Sequence, residues 1–153
     1  LLYYLSISEI DTHFENFFEI LSFNIQLIII YFWVSKRSEV LGSGHIFFAG
    51  LINDVVMGFP LGLSSLTYLV VSFVALYVKN MTVNTRITTD WFTFFIAIFF
   101  SNIILFILLS NFSEIAVSVT EVSYNTFFTL LFFPFFWILF TYYNSIITLG
   151  KNA

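Results

Sequence analysis

Asn53 and Asp54 are the residues of this chain most able to do chemistry, because they set an amide and a carboxylate inside a run of apolar side chains. An ionised carboxylate about one turn inside a lipid-facing helix is expensive unless it is hydrated or paired. Two readings stand for it. In the functional one, the pair faces a cavity, a ligand or a partner. In the structural one, Asp54 accepts hydrogen bonds from the free N–H groups that open the next helix, around Leu63 to Ser65, and fixes the turn between them. His45 is a lone imidazole with no His, Asp or Glu at i+3 or i+4, so the spacing offers no metal site. His13 stands among Glu9, Asp11 and Glu15 and reads as solvated.

Other chemistry lacks its residues. The chain has no cysteine, which removes disulfides, thiolate metal sites and a thiol nucleophile. It has no phosphate-binding glycine loop, no nucleophile elbow, no HExxH and no close pair of carboxylates placed to be buried together. One Asp within the apolar runs is too little charge for a proton or ion pump. Nothing basic and aromatic points to nucleic acid. The sequence therefore predicts no catalytic residue, no metal and no cofactor.

The elements that position Asp54 follow from composition. Of 153 residues, 59% are hydrophobic and 9% are charged, with a mean hydropathy of +0.97. A soluble domain needs roughly a quarter of its residues charged, so lipid must be part of the solvent here. The 23 Phe residues are spread along the chain and reflect composition, not a motif. Apolar runs long enough for helices lie at about 20–34, 40–57, 61–78, 91–109 and 126–147. The expected fold is an all-α membrane protein, one domain over residues 1–153, with five complete transmembrane helices. Leu1-Leu2-Tyr3-Tyr4-Leu5 reads as the tail of a truncated first helix.

Charge sets the expected orientation. Lys36, Arg37, Lys79, Arg86 and Lys151 are all the cations, and alternating spans place them on one side. That side is the cytoplasm by the positive-inside rule. Glu9, Asp11, Glu15, Glu19, Glu114 and Glu121 collect opposite, with residues 6–19 and 111–123 outside. Trp33 and Trp91 fall near cytoplasmic helix ends, whereas Trp137 falls mid-span and packs between helices. Pro134 should kink the last helix, and a neighbouring helix must bond the carbonyl it frees. Asn24, Gln26, Asn102 and the tyrosines are expected to hydrogen-bond across helices.

Residues 41–68 are the least generic stretch. Gly42, Gly44, Ala49 and Gly50 leave one helix with a nearly bare face, and Gly62, Ser65 and Ser72 do similar work in the next. Such faces let helix backbones approach closely where lipid removes the hydrophobic drive. Gly58-Phe59-Pro60 makes the turn, so these helices form an antiparallel hairpin.

Three motifs in this region carry a family resemblance. Tyr31-Phe32-Trp33-Val34-Ser35-Lys36-Arg37-Ser38-Glu39 is an aromatic helix end followed by a basic pair and Glu. Gly50-Leu51-Ile52-Asn53-Asp54 leads into Gly58-Phe59-Pro60-Leu61-Gly62. Together they resemble the bacterial rod shape-determining MreD family, whose hairpin reads Gly-Leu-x-x-Asp and turns at Gly-x-Pro-Leu-Gly. Ser64-Ser65 departs from the family's ending, and the Pro usual between the basic pair and Glu39 is absent.

The resemblance implies a non-enzymatic scaffold of the cell-elongation machinery in the inner membrane, with its C-terminus cytoplasmic. It implies association with membrane lipids, a single-span MreC-like protein, and, directly or indirectly, MreB, RodA and the penicillin-binding transpeptidase. It also implies a fold similar to the substrate-binding subunits of energy-coupling-factor vitamin importers. Gly50, Asn53, Asp54, Gly58, Pro60, Leu61 and Gly62 become hairpin-shaping or partner-facing residues. A vitamin-importer subunit is the alternative function, and an accessory subunit of an organelle respiratory complex is a third.

Overall fold

The computed structural model describes residues 24–39, 41–81, 86–112 and 119–151. The described residues form helices α1 (Ile25–Arg37), α2 (Ser43–Met57), α3 (Leu63–Met81), α4 (Ile87–Phe112) and α5 (Val119–Lys151), with no strand among them. Of the segments read from sequence, residues 1–23, with the helix stub, His13 and four of the acidic residues, lie outside the described residues, as do 113–118 with Glu114.

The helices α3, α4 and α5 are long and apolar enough to cross a membrane, while α2 is a shorter apolar helix. At 1.5 Å per residue, α2 reaches only ~22 Å. α3 packs against α1, α2 and α4, and α5 packs against α1 and α4. The result is a ring of α1, α3, α4 and α5, with α2 applied to the outside of α3.

α1 is the inner helix. Ile28, Ile30, Tyr31, Phe32 and Val34 are all buried, as are the polar Gln26 and Ser35, so no single stripe faces the core. Phe94 of α4 stacks on Phe133 of α5 with ring centroids 4.3 Å apart. Tyr31 meets both rings edge-on. The outer faces of α4 and α5 are equally apolar: Phe92, Phe95, Phe99, Phe135 and Ile138 are exposed. Water does not tolerate so continuous an apolar surface, but lipid does.

α1 opens five residues later than the apolar run suggested, at a cap formed by Asn24, whose side chain accepts from Leu27 N–H at 3.4 Å. That corrects the expectation for Asn24: its side chain serves its own helix, and only its backbone N–H crosses, to Thr129 Oγ1 at 2.9 Å. Gln26 and Asn102 do bridge helices, to Asn53 and Thr126 respectively. α5 opens at Val119, so residues 119–123 are helical and not loop as read from sequence. Hydropathy registers where lipid begins, and a helix can continue past that boundary.

Pro134 lies inside α5, which continues through it. A proline at that position removes the bond to the carbonyl of Leu130. Trp91 of α4 donates its indole N–H to that carbonyl at 3.0 Å, so a neighbouring helix satisfies the freed group. The exposed Trp91 ring is therefore a bonded partner of α5.

Candidate functional site

The hairpin of α2 and α3 is built around one close approach. A Cβ added to Gly50 would lie 2.3 Å from Ser65 Cα and 2.5 Å from Ser65 N, so only glycine lets these backbones meet. Ser65 Oγ then reaches the Phe47 carbonyl at 2.9 Å. α2 ends at Gly58, whose φ of 68° is the left-handed conformation that glycine adopts freely. Gly62, at φ 100°, makes the second reversal.

The carboxylate of Asp54 fills the space between these glycines. It is fully buried. Its Oδ2 accepts from Gly62 N–H and its Oδ1 from Ser64 N–H, both at 2.7 Å. Its backbone carbonyl accepts from Phe59 N–H at 2.9 Å. α3 is thus capped by an acidic side chain from the preceding helix, with negative charge at the positive end of its dipole. Asn53 donates to Ser64 Oγ at 3.0 Å and accepts from Gln26 Nε2 at 3.4 Å, tying α1 to the hairpin. Gly50, Asn53, Asp54, Gly58 and Gly62 therefore converge on one turn. Pro60 lies beside it and accepts from Leu63 N–H at 3.2 Å, whereas Leu61 points outward at 73% exposure. His45 is exposed on the first turn of α2, and no group of three or more potential ligands stands together among the described residues.

A second polar cluster occupies the other end of the bundle. Asp90, in the first turn of α4, is wholly buried. Its Oδ2 pairs with Lys36 Nζ at 3.2 Å and accepts from Trp137 Nε1 at 2.8 Å. Its Oδ1 meets no protein donor. Lys36 Nζ also lies 5.5 Å from the centre of the Trp137 ring, in cation–π range. Below them, Tyr31 hydrogen-bonds Thr93. One ion pair and one indole thus fasten α1, α4 and α5 together.

Sequence reasoning missed this cluster. It assigned Lys36 to a loop, but Lys36 lies in the last turn of α1 and reaches inward. Asp90 went unremarked beside Arg86 and Trp91. The available signal was an acidic residue three places inside an apolar helix start. Trp137 was expected to pack between helices, and it does.

These features define an all-helical, multi-pass membrane protein whose buried Gln26, Asn53, Asp54 and Asp90 bond to groups on neighbouring helices. The family model of the rod shape-determining protein MreD matches residues 1–143. The chain belongs to the MreD family, and its role lies in rod-shape determination. No curated protein and no solved structure matches it.

Proposed function

We propose that the chain is a non-enzymatic scaffold subunit of the cell-elongation machinery, set in the bacterial inner membrane with its C-terminus in the cytoplasm. In this reading α1 to α5 all cross the bilayer. The subunit couples a single-span MreC-like protein, and directly or indirectly MreB, to RodA and the penicillin-binding transpeptidase. Family membership supports this reading. So does the way Asn53, Asp54, Ser64 and Gln26 bind one another, since a substrate site would aim such groups into a cavity. The basic residues Arg37, Lys79 and Arg86 gather at one end of the described bundle, which supports the orientation.

The test is a gentle-detergent pull-down of the tagged chain, with mass spectrometry of bound proteins and small molecules. Recovery of a single-span MreC-like protein or of cell-wall synthases is the expected result. A stoichiometric vitamin-like compound recovered with ATPase subunits would overturn it in favour of an importer.

Within this scaffold we assign Asp54 to shaping the hairpin. Asp54→Ala leaves the part-buried Gly62 N–H and the buried Ser64 N–H without their acceptor and should cost about 2 kcal/mol. Asp54→Asn keeps one acceptor oxygen and should cost less. Yield and thermal unfolding in detergent measure both. Unchanged stability of Asp54→Ala combined with lost partner binding would transfer the residue to the partner-facing role.

A further inference from the structure

The α2–α3 hairpin leaves an apolar groove of about 350 Å³ along its side. α3 lines it with Leu66, Leu69, Val70, Phe73 and Leu76, and Ser43 borders it at the start of α2. The α3 residues recur at i, i+3, i+4, i+7 and i+10, so one face of that helix forms the floor. Leu66 and Phe73 are exposed, and the groove therefore opens away from the bundle, toward lipid. We propose that it seats one anionic phospholipid, with an acyl chain along α3 and the phosphate held by Lys79 and Arg37.

Three observations point to that occupant. The first is length. Leu66 to Leu76 covers ~15 Å at helical rise, half of the ~30 Å bilayer core and so the depth of one leaflet. A partner's transmembrane helix would run the whole depth, whereas an acyl chain stops at the midplane. The second is where the groove ends. Lys79 stands in the last turn of α3, one turn beyond Leu76. Its Nζ donates to Ser38 Oγ at 2.7 Å, which brings the end of α3 beside Arg37 in the last turn of α1. α2 starts short of that level, since Ser43 borders the same groove as Ser72 and Phe73. The third is charge. Of the two acidic residues described at this end, Asp90 is buried against Lys36. That leaves the exposed Glu39 against Arg37, Lys79 and Arg86. The excess is positive and lies at headgroup depth, so it suits a net negative headgroup better than a zwitterionic one. The inference takes α3 as a membrane span but needs no MreC-like partner, so failure of the pull-down above would leave it standing.

The full chain in a mild detergent is titrated with phosphatidylglycerol or with phosphatidylcholine of the same acyl chains, and native mass spectrometry counts the bound lipid. One phosphatidylglycerol should bind about tenfold more tightly than phosphatidylcholine. Arg37→Gln combined with Lys79→Gln should erase that preference. Val70→Trp, which fills the groove, should weaken both lipids about tenfold. Equal binding of the two lipids by the original chain overturns the proposal, as does tight phosphatidylglycerol binding that survives either change. Excess inorganic phosphate should not displace the lipid. Displacement would give the cations to a free anion and overturn the proposal. A second measurement does not depend on those variants folding. The chain contains no cysteine, so Ser43→Cys carries a fluorophore at the groove alone. In vesicles, brominated phosphatidylglycerol should quench it about twofold more than brominated phosphatidylcholine at the same mole fraction. Equal quenching overturns the proposal.

Discussion

Lys36→Ala should destabilise the bundle by about 3–5 kcal/mol, because it leaves the Asp90 carboxylate as an uncompensated buried charge. The Asp90 side chain is 1% exposed against 19% for Lys36, and this difference makes the pair asymmetric. Asp90→Ala removes the buried charge itself. The lysine it leaves behind sits in the last turn of α1, from which a flexible stem can carry its ammonium out to the headgroups. A cation there is also favoured by the negative end of the α1 dipole. Asp90→Ala should therefore cost clearly less than Lys36→Ala, and the double variant less than the two combined. Thermal unfolding of the four proteins in one detergent measures the coupling. Equal losses for the two single variants, or simple additivity, would show that the contact does not hold α1 to α4.

The second large effect lies in the hairpin. Gly50→Ala should cost about 3 kcal/mol or more, since its new methyl meets backbone atoms of Ser65 that have no rotamer to yield. Separating the helices to admit it would also break the bond from Ser65 Oγ to Phe47. Gly44 provides the comparison. A Cβ there meets nothing within 4 Å, so Gly44→Ala should be neutral or should stabilise by about 0.5–1 kcal/mol through helix propensity. Expression level and midpoint of unfolding read both variants. A Gly50→Ala protein as stable as the original would refute the close-packing account.

The hairpin was legible in the sequence because its parts are near neighbours. Asp54 bonds residues eight and ten places ahead, and the glycines mark the reversals in between. A carboxylate before a Gly-Phe-Pro turn leads directly to the N–H groups of the next helix. Pro134 was legible for a similar reason, since proline chemistry dictates a free carbonyl at Leu130. That Trp91 would supply the donor was not readable, because it depends on which helix lies beside α5. The Lys36–Asp90 pair failed for the same reason. The two residues are 54 positions apart, on helices whose adjacency no local pattern encodes. Asn24 misled in the opposite direction, because a polar residue in an apolar run can bridge helices or cap one. The choice rests on where the helix begins, the boundary that hydropathy defines least well.

The unequal helix lengths bear on the membrane itself. With α2 as a span, its 15 residues present less than the ~30 Å of a typical hydrocarbon core. α4, with 26 residues, exceeds that thickness. Lipids beside such an α2 would have to compress while those beside α4 would not, and the protein would then carry a tilted collar of deformed bilayer. Each ångström of mismatch costs a fraction of a kcal/mol, and another protein with a short span relieves part of it by sharing the thinned lipid. The α2 side would then gather short-spanned neighbours through bilayer elasticity, before any side chains touch.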